Sequence, residues 1–163
     1  MKIDSKSGQI AYALKSVLTP HRVMFTAAAE KRSLLQEMIK CLADADEVTS
    51  LEDLEQGIFH REKLMSTGIG FAIAVPHVRL DSVTAPVMCA AVSKNGIADY
   101  ESLDAKPIHL IFMIAAGKNQ HELHIRLLAF ISTRLKDEIL RNKLIDSQTP
   151  EDFYNILITG DHQ

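Results

Sequence analysis

The residues best suited to chemistry lie in one stretch, Arg61-Glu62-Lys63-Leu64-Met65-Ser66-Thr67-Gly68-Ile69-Gly70-Phe71-Ala72-Ile73-Ala74-Val75-Pro76-His77. Ile73-Ala74-Val75 reads as a buried strand, and Pro76 holds Val75 extended while removing an amide donor, so the strand is expected to end there. That puts His77 on a scaffolded loop at the strand's exit, with its ring held in one orientation. A neutral imidazole, with its ordinary pKa of about 6.5, keeps a lone pair at neutral pH and can attack phosphorus without a separate base. Alone, His77 would be read as a turn histidine at the surface; its neighbours change that. Arg61 offers a delocalised cation to a phosphoryl group, although an Arg-Glu pair at a helix end is more often a solvated surface. Ser66, Thr67, Gly68 and Gly70 are candidates for a phosphoryl-holding loop, since glycines let amides approach an anion. Their spacing is not that of a Walker loop, and no nucleotide is implied.

A second cluster is His121-Glu122-Leu123-His124, two histidines at i and i+3 on one helix face. A zinc protease helix would need histidine where Ile125 stands, and no nearby cysteine completes a tetrahedral set, so neither a metal nor another cofactor is expected. At a helix start, His124 could donate a hydrogen bond to an anion; the plainer alternative is a helix-surface histidine. His21, His60, His109 and His162 have no supporting context.

The elements that must position these groups follow from periodicity. Ile10, Ala13, Leu14 and Val17 suggest a turn or two of helix before Thr19-Pro20, and Val23-Met24-Phe25 a short strand. Leu34, Leu35, Met38, Ile39 and Leu42 share one helical stripe ending near Ala43, with Ser33-x-x-Gln36 resembling a capping box. Ser50 is a plausible N-cap, with Asp53 at the third position, for a helix carrying Leu51, Leu54 and Ile58 inward toward Met65; Gly68 and Gly70 then mark a loop. Val87 to Val92 and Ile108 to Ala116 read as buried strands, and Asn95-Gly96 as a turn implying an antiparallel pairing. Leu123, Leu127, Leu128, Ile131 and Leu135 return to helical spacing, followed by a shorter helix with Ile139, Leu140 and Leu144. Thr149-Pro150-Glu151-Asp152 opens a last helix docked by Phe153, Ile156 and Leu157, and the tail from Gly160 to Gln163 is expected to fray. Strands alternating with helices predict an α/β fold: a mixed parallel/antiparallel sheet flanked by helices on both faces, as a single domain over residues 1–163.

Composition narrows the function. The 163 residues are 47% hydrophobic and 24% charged with a net charge of -3, a globular balance without a basic field for nucleic acid. Two isolated cysteines, no signal-peptide core at the start and no apolar run long enough to span a bilayer lead to the expectation of a cytoplasmic protein with no direct membrane insertion.

The order of these motifs is similar to a known family. Leu18-Thr19-Pro20, Arg61-Glu62 with Ser66-Thr67-Gly68-Ile69-Gly70, and Ile73-Ala74-Val75-Pro76-His77 are followed by Leu103-Asp104-Ala105-Lys106-Pro107-Ile108-His109-Leu110-Ile111-Phe112 and His124-Ile125-Arg126-Leu127-Leu128. From about residue 17 to 158 the chain resembles the enzyme IIA domain of the fructose/mannitol class (type 2) of the bacterial phosphoenolpyruvate-dependent phosphotransferase system, including its nitrogen-regulatory form. The resemblance implies that His77 accepts a phosphoryl group on Nε2 from the phosphocarrier HPr, or its nitrogen-system counterpart, and passes it to an enzyme IIB or uses it as a signal to regulatory targets. It implies that His124 and Arg61 are the family's second active-site histidine and its arginine, holding and neutralising the phosphoryl oxygens. Four positions depart from the pattern. Val78 replaces a common glycine and would resist a positive φ; Phe71-Ala72 replaces a small polar or glycine pair; Gly117 replaces a proline. Phe71 is expected to fill the core, or to offer an apolar contact to HPr.

The expected function is therefore a phosphoryl carrier with a phosphohistidine intermediate, and the lack of a fused IIB or IIC module tilts the expectation toward regulation. The alternatives are a binding module of the same fold that has lost transfer through Val78 and Phe71, and a metal-dependent hydrolase using His77, His121 and His124.

Overall fold

The computed structural model describes residues 5–160; the tail residues 161–163, and with them His162, lie outside this range, as does the side chain of Ile10. Among the described residues six α-helices and one short 3-10 turn (Pro20–Arg22) surround one six-stranded sheet: α1 (Ser5–Val17), β1 (Val23–Phe25), α2 (Lys31–Ala43), α3 (Leu51–Leu64), β2 (Gly68–Gly70), β3 (Ile73–Ala74), β4 (His77–Leu80), β5 (Val87–Ile97), β6 (Ile108–Gly117), α4 (His121–Arg134), α5 (Glu138–Asp146) and α6 (Pro150–Thr159). The strands run in the order β1-β5-β6-β3-β2, and β4 also pairs with β6. The sheet is mixed: β1 lies parallel to β5, and β5 antiparallel to β6. On the other edge of β6, β3 and β4 are both parallel to it, and β2 closes antiparallel on β3.

Two apolar layers hold helices to the two faces. One joins Leu14, Val17, Leu127, Ile131, Leu140, Leu144, Phe153 and Ile156 to β5 and β6 residues such as Met88, Phe112 and Ile114. The other joins Leu34, Leu35, Met38, Leu42, Leu54 and Ile58 to Cys89, Ala91, Ile111 and Met113. Alternate residues of β5 and β6 thus serve opposite layers, as a pleated strand requires, and both faces are apolar because both are covered.

Local capping explains several boundaries. The Ser50 hydroxyl accepts from the Asp53 amide at 3.1 Å and the Thr149 hydroxyl from the Asp152 amide at 3.1 Å, both as expected. The capping box at Ser33 is not used. The helix begins at Lys31, whose amide is satisfied from across the chain by Asp99 Oδ1 at 2.7 Å. Leu51, Leu123 and Ile139, expected inward, are 49%, 41% and 69% exposed, each lying in the first turn of its helix. Asn95-Gly96 is not a hairpin tip: β5 continues through it with a register shift, and the antiparallel partner arrives after a longer loop.

Two corrections bear on the site. Gly68 and Gly70 lie in a strand, not a loop, and His77, which does follow the strand ending before Pro76, begins a further strand instead of lying on a loop. β6 outlasts β3, so beyond Pro76 its edge remains open. The Pro76 carbonyl accepts the Ile114 amide at 3.0 Å, and the ladder resumes with His77 opposite Ile114.

Candidate active site

His77 is half-buried at the start of β4, and its Nδ1 lies 2.7 Å from the Val75 carbonyl oxygen. A carbonyl only accepts, so Nδ1 carries the proton and Nε2 the lone pair. Burial depresses the His77 pKa; the Val75 carbonyl pulls it up, the Arg61 cation pushes it down and Glu62 raises it. The ring is therefore neutral at neutral pH, with one nucleophilic nitrogen.

The His124 ring stands beside it, centroids 5.3 Å apart and planes tilted by 59°. His124 is 4% exposed, buried by α4 instead of lying on its surface. Burial, with repulsion from the Arg79 cation and from the His77 and His121 rings when these are protonated, lowers its pKa to about 4. Its Nδ1 is buried and has no hydrogen-bond partner among the described residues. Leaving such a group unpaired costs about 1–3 kcal/mol, so it calls for an explanation, of which a catalytic role is one.

Arg61, in the last turn of α3, is within electrostatic reach of His77, and its Nη1 donates to the Met65 carbonyl at 2.9 Å. The hydrogen-bonding groups of the four loop candidates are engaged by neighbouring residues. The Ser66 hydroxyl donates to the Glu101 carbonyl at 2.6 Å and accepts the Gly68 amide at 3.3 Å, while the Gly70 amide goes to Ser102 Oγ at 3.0 Å. Neither glycine offers its amide to an anion. Gly68 is required because a side chain there would strike the Glu101 carbonyl, and Gly70 because its φ is +91°. Thr67 is buried in a cluster with Glu62, Lys31 and Tyr100.

The departures from the family pattern also find places. Val78 lies in β4 and is not among the positive-φ residues; those without a glycine are Phe71, Ala72 and Ala105, at +57°, +63° and +58°. The objection to Val78 on backbone grounds is thereby removed. Phe71 does not fill the core: it is 55% exposed, with the Arg141 guanidinium 4.8 Å from its ring centroid. Its turn packs beside His109 and Leu110, whose amides donate to Ala72, whereas His77 pairs with Ile114 further along β6. His121 is exposed, and among the described residues no three His, Cys, Asp or Glu side chains gather as a metal set.

Sequence reasoning missed Glu62, read as half of a surface pair but 8% exposed. It also missed Arg79, whose charge reaches His124.

The family model for the phosphoenolpyruvate-dependent sugar phosphotransferase system, EIIA 2, matches residues 16–159. The chain belongs to that family. It is similar to the fructose-specific EIIABC component of Bacillus subtilis, 34% identical over 145 residues, which are 88% of this chain and 23% of that longer protein. It is also similar to a nitrogen regulatory protein of Pseudomonas aeruginosa, 29% identical over 89% of this chain and 94% of that one. Among solved structures, nitrogen regulatory protein IIA-Ntr from Neisseria meningitidis shares the fold, with a TM-score of 0.81 at 23% identity over 88% of this chain and 98% of that one. IIA mannitol of Escherichia coli, solved in complex with phosphorylated IIB mannitol, gives 0.74 at 25% identity over 88% of this chain and 98% of that one. This EIIA chain thus has the fold of a phosphotransferase-system component, and no helix among its described residues is long and apolar enough to cross a membrane.

Proposed function

We propose that this chain is a phosphoryl carrier in which His77 Nε2 accepts a phosphoryl group from HPr, or the corresponding carrier of a nitrogen-regulatory system, and passes it to an enzyme IIB or holds it as a signal. The observation that carries this reading is the Val75 carbonyl 2.7 Å from His77 Nδ1. As the P–Nε2 bond forms, the donor's bond to phosphorus breaks and its electron pair returns to the donor. The His77 ring keeps its Nδ1 proton, and the carbonyl stabilises the positive charge the ring acquires. In this reading His124 donates a hydrogen bond to a phosphoryl oxygen and Arg61 offsets its charge, supported by the neighbouring His77 and His124 rings and the unpartnered His124 nitrogen.

Transfer onward to a IIB protein is supported by the solved complex of the mannitol relative. Regulation through phosphorylation state is the favoured use, supported by the similarity to the P. aeruginosa nitrogen regulatory protein over 94% of its length.

Mixing the protein with phosphoenolpyruvate, enzyme I and HPr should give an acid-labile mass gain of one phosphoryl group, lost completely in His77→Ala. No gain with cognate partners would favour the binding-module reading. A pull-down with both phosphorylation states would separate carrier from regulator: targets held in one state only are the regulatory outcome.

A further inference from the structure

Glu62 is an ionisable side chain buried to 4% exposure that the carrier chemistry leaves without a task. Four donors converge on it. Lys31 Nζ lies 3.0 Å from Oε2, the Thr67 amide donates to Oε2 at 3.3 Å, the Tyr100 hydroxyl donates to Oε1 at 3.1 Å, and the Thr67 hydroxyl donates to Oε1 as well. The Thr67 and Tyr100 hydroxyls are themselves 2.7 Å apart. Both hydrogen-bonding groups of Thr67 outside the ladder are therefore held by one carboxylate at the end of α3.

Thr67 leads directly to the site. Its carbonyl accepts the Val75 amide at 3.0 Å, and the Val75 carbonyl in turn holds His77 Nδ1 at 2.7 Å. A peptide unit held at its N–H presents its residue's C=O in a restricted direction, because only φ and ψ of Val75 separate the two groups. Pro76 restricts that ψ further. The orientation of the acceptor that fixes the His77 tautomer thus depends on where Thr67 sits.

We infer that Glu62 is a positioning residue for phosphoryl transfer: by clamping Thr67 it aims the Val75 carbonyl that keeps the His77 proton on Nδ1 and its lone pair on Nε2. This rests on the carrier reading of His77, but it is tested separately. Glu62→Gln either sets an amide N–H₂ against the Thr67 amide and Lys31 or, with the two hydroxyls turned to accept, leaves Lys31 and the Thr67 amide a neutral oxygen in place of a carboxylate, so the clamp is weakened in both arrangements.

The test is nitrogen NMR of the histidine-labelled full chain, which reads the His77 tautomer in folded protein, alongside single-turnover phosphoryl transfer from phosphorylated HPr. Wild type is expected wholly in the Nδ1–H form. Glu62→Gln should show a mixture of tautomers and transfer slowed by about 10- to 100-fold, the penalty of a displaced nucleophile. Thr67→Val should do the same through loss of the hydroxyl, and Thr67→Ser should restore both readouts; this pair decides the matter if Glu62→Gln does not fold. A folded Glu62→Gln protein of lowered melting temperature, with His77 still locked in the Nδ1–H form and transferring at the wild-type rate, overturns the proposal. Wild-type protein that takes no phosphoryl group overturns the carrier reading instead, and the tautomer comparison still tests the clamp.

Discussion

Glu62 and His124 are both buried polar side chains, and the fold treats them in opposite ways. Around Glu62, two hydroxyls, an amide and an ammonium converge, and Lys31 also lies 4.4 Å above the Tyr100 ring. His124 Nδ1 has no hydrogen-bond partner among the described residues; the His77 ring stands beside its ring, centroids 5.3 Å apart, and nearby cationic groups favour its neutral form. A saturated cluster holds elements in register, whereas an unsaturated one keeps capacity for a ligand. The contrast separates framework from site more clearly than burial does, because the two residues are almost equally buried.

Breaking the saturated side should cost most. Lys31→Met leaves the Glu62 carboxylate with neutral donors only and is expected to lower unfolding free energy by about 3 kcal/mol, read from denaturant midpoints. A loss below a few tenths would mean that the hydroxyls and amide suffice.

On the unsaturated side the effect should appear in transfer. His124→Ala is expected to slow phosphoryl transfer by about 100-fold, as removal of one donor to a developing oxyanion does elsewhere, and an unchanged rate in folded protein would remove His124 from the chemistry. The same variant sharpens the comparison by pH. Unfolded His124 takes up a proton near its ordinary pKa of 6.5, the folded residue not until about 4, so protons favour unfolding across that interval. Stability should therefore fall by roughly 2–3 kcal/mol as pH drops from about 6.5 toward 4, with His77 adding in the same direction, and His124→Ala should flatten the slope. A slope unchanged in the variant would assign the pH dependence to other groups.

The smallest effect is expected at the β2–β3 turn, outside both clusters. Ala72 holds φ at +63°, and Ala72→Gly should stabilise by about 0.5–1 kcal/mol, the left-handed penalty less the extra chain entropy of glycine. Lower stability would show that the Ala72 methyl packs to advantage.

Much of the scaffold could be read from local signals. The caps at Ser50 and Thr149, the stripe from Leu34 to Leu42 and the two long buried strands each depend on neighbours within a few residues, and they stand as expected. What was not legible depends on distant partners. The start of α2 is set by Asp99, and Glu62 is made internal by Lys31 and Tyr100, none of them near it in sequence. β4 was hidden for another reason: its burial pattern is neither alternating nor uniformly apolar, and it is a strand because β6 has an open edge for it. The histidine pairing belongs to the same class, since spacing alone gave His124 a helix position without revealing that α4 turns it inward onto His77. The resemblance supplied that pairing where periodicity did not.

The proline break along one edge of β6 has a further implication. Because β3 and β4 lean on the same uninterrupted strand, the His77 ring is carried on a short strand laddered to the long inner strand β6 and not on a free loop. Under the proposed carrier reading, such stiffness would show each visiting protein the same nitrogen in the same pose, so that the visitors and not this chain would do the adapting.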